Sequence, residues 1–276
     1  MDSDTMSTYQ DCCSDIDGAD RPDEALAMLR SGCGAPSYTH LLRAVFAQVP
    51  VPRGAQLLEV GCGLGHACRL VADMYHHVRI IGTDVSRVAI AECVHLSIGY
   101  VPDRISYQVM DGAALSFPDA TFDLVYCART LMHAATPERI LTEMYRVVRP
   151  GGALLVIEPD AAGDFVAGVA DDLHRQALPA IHPAAGRDAY MLLLRMGLRD
   201  LTVVPYVWTR TLDEAPDVAA QVRDLMQRRG TLWARVQAFL LPETEAMRYL
   251  DQMQATITAG VWRRWTIHLV TFGYRA

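Results

Sequence analysis

Three glycines stand within five residues of the run Glu59-Val60-Gly61-Cys62-Gly63-Leu64-Gly65, between an apolar stretch and a helical pattern. Glycine at this spacing permits a sharp turn and lets backbone approach a ligand without side-chain obstruction, which is how a strand-to-helix loop holds a nucleoside cofactor. A nicotinamide fingerprint beginning at Gly61 requires glycine at position 66, where this chain has His66, so the dinucleotide reading is weakened. Asp84 ends the next apolar run, IIGTD, about where an acidic side chain reaches the paired hydroxyls of a ribose. Asp111, followed by Gly112, comes after the third run, positioned to accept from an exocyclic amine while neighbouring backbone recognises an adenine edge. Together the three sites describe one adenosine.

The order and spacing of EVGCGLG, IIGTD, the Asp111 to Pro118 segment with FDLVYC after it, and LMHAATPERILTEMYRVVRPGG (131–152) resemble the class I S-adenosylmethionine-dependent methyltransferases. The likeness is to the branch that includes the ubiquinone and menaquinone enzymes and many small-molecule methyltransferases, and it covers roughly residues 37–160. It implies S-adenosyl-L-methionine as cofactor. Gly61 and its neighbours Glu59, Cys62, Gly63 and Gly65 would hold the methionine part, Asp84 with Val85 the ribose, and Asp111 with Gly112 the adenine. Ala128 and Arg129, after FDLVYC, would border the methyl group. Tyr38, in the helix before the core, either closes over the methionine end or simply packs.

Methyl transfer from a sulfonium is an in-line displacement with a good leaving group, so the protein mainly positions the nucleophile and excludes water. An oxygen nucleophile often needs help in losing its proton, and histidine titrates in a suitable range. His133, in CARTLMH, is the expected catalytic residue, as base or substrate anchor; orienting the loop or lining the pocket is the alternative role. Arg129 suits bidentate recognition of a cofactor or substrate carboxylate, with a plain surface position as the alternative. His182, Tyr190, Trp208, Trp233, Trp262 and His268 lie in the half where an acceptor pocket could be built, although most are expected to be core. Glu158 and Asp160 end the fifth apolar run and are expected near the crevice, without a metal.

These side chains need a framework. Short apolar runs alternating with helical stretches predict an α/β, Rossmann-like doubly wound sheet of seven strands, mostly parallel with the last antiparallel, carrying helical cap insertions. Strands are expected at 55–60, 78–83, 105–109, 122–127, 153–159, near 201–209 and at 263–275. Helices are expected at 23–30, 36–49, 66–75, 86–98, 136–147, 164–182 and within 213–260. The expected division is a flexible N-terminal segment with a short helix (1–35), the cofactor-binding core (36–160), and the rest of the sheet with a helical substrate cap (161–276).

Of 276 residues, 51% are hydrophobic and 21% charged, as in a packed globular chain. A net charge of −7 offers no field that would draw the protein to nucleic acid or an anionic membrane, and the basic stretch Arg228 to Arg235 reads as a solvated helix face. There is no lysine, which excludes lysine Schiff-base and P-loop chemistry. Seven cysteines, all before residue 128, form no paired framework, and Cys12, Cys13 and Cys33 lack zinc-site spacing. With no apparent secretion signal or spanning segment, the expectation is a soluble, cytoplasmic methyltransferase acting on a small molecule, with oxygen marginally favoured over nitrogen or carbon. The same cofactor could instead serve a cyclase of the same fold, and the whole fold a non-catalytic partner subunit.

Overall fold

The computed structural model describes residues 16–18, 22–100, 104–177, 182–215, 218–219, 222, 231–237 and 240–276. Seven strands form one sheet: β1 (Gln56–Val60), β2 (Arg79–Asp84), β3 (Ile105–Val109), β4 (Phe122–Ala128), β5 (Val148–Val166), β6 (Arg199–Thr211) and β7 (Arg263–Tyr274). Their order is β3-β2-β1-β4-β5-β7-β6, and β7 alone runs against the other six, pairing antiparallel with both β5 and β6. Among the described residues the helices are α1 (Pro22–Cys33), α2 (Pro36–Phe46), α3 (His66–Met74), α4 (Arg87–Leu96), α5 (Pro137–Val147), α6 (Asp171–Ala177), α7 (Ala185–Arg195), α8 (Thr231–Gln237) and α9 (Glu243–Thr258). None of them is long and apolar enough to cross a membrane.

The central strands are apolar on both faces because helices cover both. Alternation along each strand sends Leu57, Leu124, Tyr126, Leu155 and Ile157 toward α2 and α3, and Leu58, Val125, Cys127, Leu154 and Val156 toward α5 and α7. α5 shows why such helices form. Pro137 opens it, Glu138 sits in its first turn and Arg146 in its last, and Ile140, Leu141, Met144 and Val147 make one buried stripe.

Residues 164–166 do not begin a helix: they continue β5, because Asp164, Phe165 and Val166 pair with Thr266, Trp265 and Arg264 of β7. Helix resumes only at α6, and residues 178–181 lie outside the described ones. α7 forms where no helix is expected from the sequence and packs through Ala185, Gly186, Ala189 and Leu193; a Cβ on Gly186 would lie 2.9 Å from the Glu158 carbonyl oxygen. Apart from Leu193 its contact face is made of small residues, so hydrophobic periodicity does not reveal it.

The long β5 and β7, with the end of β6, reach beyond the sheet and carry a third core. There Val166, Leu173, Leu232, Trp233, Tyr249, Leu250 and Trp262 pack together. Asp164 fastens this cap to the sheet, accepting from Arg264 Nε at 2.8 Å and from the Thr266 hydroxyl at 3.2 Å, with His174 Nε2 at 3.7 Å. The expected helix within 213–260 is present as α8 and α9; residues 216–217, 220–221, 223–230 and 238–239, and with them Arg228 and Arg229, lie outside the described ones. So do residues 1–15, including Cys12 and Cys13. Residues 16–18, expected within a flexible lead-in, are placed against the core, because Ile16 is buried with Leu26, Leu64 and Ala89.

Candidate active site

The C-terminal ends of β1, β2 and β4 bring the expected residues to one edge of the sheet. Gly61, Gly63 and Gly65 all have positive φ, at 71°, 52° and 68°, so the loop follows a path that side chains resist. They serve different ends. A Cβ on Gly61 would fall 2.2 Å from Thr130 Cγ2, and one on Gly65 would fall 2.5 Å from the Tyr107 hydroxyl. A Cβ on Gly63 would meet nothing within 4 Å. Gly61 and Gly65 are therefore packing glycines, whereas Gly63 turns a bare backbone toward open space, a cradle that a side chain would fill.

Asp84 reaches back to this loop. Its carboxylate accepts from the Gly63 amide at 2.8 Å and, through the other oxygen, from the Ser86 amide at 3.0 Å. Burial pushes its pKa up, and the two amides oppose that. Each oxygen keeps a further lone pair for a ligand hydroxyl. Val85, beside it, is 63% exposed and lines the rim. Asp111 is exposed, with one oxygen accepting from Ala113 N at 2.8 Å; a Cβ on Gly112 would lie 2.7 Å from Val60 Cγ1, so that residue packs closely under the loop.

Glu59 and Cys62 face inward. Glu59 is buried, accepts from the Cys68 thiol at 2.8 Å and the Tyr126 hydroxyl at 3.2 Å, and burial pushes its pKa up to about 7. Cys62 is buried and its amide donates to Thr83 O at 2.9 Å. Both support the loop from below.

His133 ends a single 3-10 turn, Leu131–His133, directly after β4. Glu158 at the top of β5 holds that turn, accepting from the amides of Thr130 at 2.7 Å, Leu131 at 2.8 Å and Met132 at 3.2 Å. Burial pushes the Glu158 carboxyl up, with these amides and the nearby His133 opposing. Glu158 thus acts on the backbone beside His133, and the sequence placed it near the crevice without revealing that grip.

Ala128 ends β4, and Arg129 follows with φ at 58°, an unusual backbone for a non-glycine residue. Its guanidinium lies over two rings, 5.0 Å from the Trp208 centre and 5.6 Å from that of Tyr38. Tyr38 is buried against Trp208 at 5.1 Å between centres, so it faces this group and not the glycine loop alone. Trp208 and His268 belong to the same group, while Trp233 and Trp262 lie in the cap core. His182 Nε2 is 2.6 Å from Ala134 O, next to the His133 turn.

Two contributors carried no recognisable signal. Thr130 packs on Gly61 and donates to Val60 O at 3.2 Å. Asp17 accepts from Ser86 Oγ at 2.6 Å and Arg87 N at 2.8 Å, closing the start of α4 beside Asp84.

Residues 58–156 match a family described as a methyltransferase domain. A sterol 24-C-methyltransferase of Eremothecium gossypii is 36% identical over 110 residues, 39% of this chain and 29% of the relative. The chain thus spans under a third of that relative's length. The 27-O-demethylrifamycin SV methyltransferase of Amycolatopsis mediterranei is 29% identical over 82% of this chain and 77% of its own. Among solved structures, the Haemonchus contortus phosphoethanolamine N-methyltransferase 2, in complex with S-adenosylhomocysteine, superposes with a TM-score of 0.61 at 15% identity, over 95% of this chain and 60% of that one. The [4+2]-cyclase SpnF superposes with a TM-score of 0.54 at 19% identity, over 87% of this chain and 82% of its own, a likeness of fold.

Proposed function

We propose that the chain, whose residues 58–156 match a methyltransferase domain, is a class I S-adenosylmethionine-dependent methyltransferase that methylates an oxygen of a small-molecule acceptor in specialised metabolism. The observation that carries this reading is Asp84, whose carboxylate is tied to the amide of Gly63, the one loop glycine that opens onto free space. That pairing fits the adenosylmethionine: Asp84 offers acceptors to the ribose hydroxyls and the bare backbone at Gly63 leaves room for the methionine part. Asp111 and Gly112 would meet the adenine, and Val85 the rim of the nucleoside. S-adenosyl-L-methionine supplies an electrophilic methyl with a neutral thioether as leaving group.

The remaining work falls to the chain. His133, held by the Glu158-pinned turn, takes the proton from the acceptor oxygen or anchors that oxygen in line with the methyl. The cap of residues 161–276 and the Arg129 aromatic group would wall off water. Oxygen as the methylated atom is supported by the rifamycin relative, whose similarity extends over most of both chains, whereas the sterol relatives match over the shared domain. Calorimetry with S-adenosyl-L-methionine, followed by S-adenosylhomocysteine formation with candidate hydroxyl acceptors, tests the reading. An Asp84→Ala variant should bind the cofactor at least tenfold more weakly. A protein that binds no cofactor would overturn it.

A further inference from the structure

A group of polar atoms on the α2 side of the sheet has hydrogen-bonding capacity that the reaction as described leaves unused. His268, on β7, lies opposite Pro159 of β5 and Tyr206 of β6 and is fully buried. Neither of its ring nitrogens makes a well-formed hydrogen bond among the described residues, with only the Thr266 backbone near enough to act on the imidazole, and Nη1 of Arg129 is likewise buried without one. The two side chains share an enclosure. Arg129 lies over the Tyr38 and Trp208 rings, and the imidazole centre of His268 is 6.1 Å and 5.6 Å from the same two ring centres. Gly32 leaves room beside the guanidinium, since a Cβ there would be 3.4 Å from Arg129 Nη1.

Orphaned buried polar groups cost about 1–3 kcal/mol each, so a folded chain that keeps these two side chains together has a partner for them in its working state. The acids nearby are engaged elsewhere: Glu59 with Cys68 and Tyr126, Glu158 with three amides, and Glu214 with Ser37. What fits a guanidinium N–H and an imidazole N–H that lie against the same two rings is a planar oxyanion, one oxygen to each. We propose that Arg129 and His268 form an anion subsite for a carboxylate of the methyl acceptor, with Tyr38 and Trp208 flanking the body that bears it.

The place of the subsite in the sheet assigns it to the acceptor. Arg129, directly after β4, stands beside the glycine loop's strand, whereas His268 on β7 is three strands from it in the order β1-β4-β5-β7, roughly 14 Å at the usual strand spacing, so the subsite runs from the cofactor edge outward to where an acceptor would lie. Burial, then the charge of Arg129, pushes the His268 imidazole down to about 3, so it is neutral in the free protein. A carboxylate beside it favours the charged form, and each interaction then reinforces the other.

This proposal rests on the methyltransferase reading, and its test separates the two. Histidine ring signals are followed by NMR while benzoate or benzamide is titrated into the protein, alone and saturated with S-adenosylhomocysteine; His268→Gln assigns the signal. Benzoate should shift the His268 signal saturably in both cases and benzamide should not. Arg129→Met should weaken the benzoate response at least tenfold. His268→Phe, read by the tryptophan fluorescence change that a Trp208→Phe control removes, should do the same and guards against one variant failing to fold. No saturable benzoate response, an equal response to benzamide, or a response abolished by S-adenosylhomocysteine would overturn the subsite, the last by giving the anion position to the cofactor. Failure of S-adenosylhomocysteine itself to bind counts against the proposed function, and the titration of the free protein still decides the subsite.

Discussion

Glu158 holds the amide of Leu131 at 2.8 Å, and through that bond one buried side chain of β5 fixes the direction in which the chain leaves β4. The turn ends at His133, so the placement of the proposed base depends on a residue that does not itself meet the substrate. Glu158→Gln turns an acceptor into a donor opposite amide hydrogens. We expect a loss of about 1–3 kcal/mol in stability and a fall in kcat of at least tenfold with cofactor affinity retained. His133→Ala should reproduce the fall in kcat without the loss of stability. Thermal melts, calorimetry and S-adenosylhomocysteine formation check both.

The glycines of the loop separate by substitution. Gly61→Ala drives a methyl into Thr130 at a positive φ and should cost about 2–4 kcal/mol of stability, as core overpacking with added backbone strain does. Gly63→Ala carries the backbone strain alone, about 1–2 kcal/mol, yet fills the open cradle and should weaken cofactor binding by more than tenfold. Equal melting shifts for the two variants would contradict this division.

Glu59 gives the fold a pH dependence of known sign. Its pKa rises from the usual 4.5 to about 7 on folding, so between those values the folded state holds more proton than the unfolded one. Stability therefore falls as pH rises through that window and levels off above it, by an amount on the order of 3 kcal/mol. Glu59→Gln should flatten the slope, which denaturant melts at pH 5, 6 and 7 will show.

Asp164 behaves oppositely. Burial raises its pKa, but Arg264 and His174 outweigh burial and pull it well below the usual range. The stability it contributes is present at neutral pH and lost as pH falls below the unfolded value near 3.8. Asp164→Asn should cost about 2 kcal/mol, below the range for a fully buried pair because the Arg264 side chain keeps 34% exposure. Near-ultraviolet circular dichroism should show the loss in the signals of Trp233 and Trp262, which pack in the cap core.

The sheet was legible in the sequence where local chemistry determines it. LLEVGCGLG is an apolar run that ends in glycines, and both its strand and its turn follow from those residues. Asp84 stands at the end of β2 as its position in IIGTD implies, and the structure adds its bond to the Gly63 amide. The upper part of β5 was not legible, because Asp164, Phe165 and Val166 become strand only through partners about a hundred residues away. α7 stayed hidden because three of the four residues on its buried face, Ala185, Gly186 and Ala189, serve close approach, and Leu193 is the one large apolar residue there. The grouping of Arg129 with His268 likewise depends on β7 lying beside β5, a fact of topology that no local pattern carries.

The overhang of β5 and β7 has a consequence for how the molecule comes apart. Among the described residues, the cap core is continuous with strands whose lower halves are buried in the central sheet. Melting the cap frays those strands, and melting the sheet removes the cap's foundation. Heat should therefore take both in one cooperative transition, and a scanning calorimetry trace of the apo protein should show a single peak.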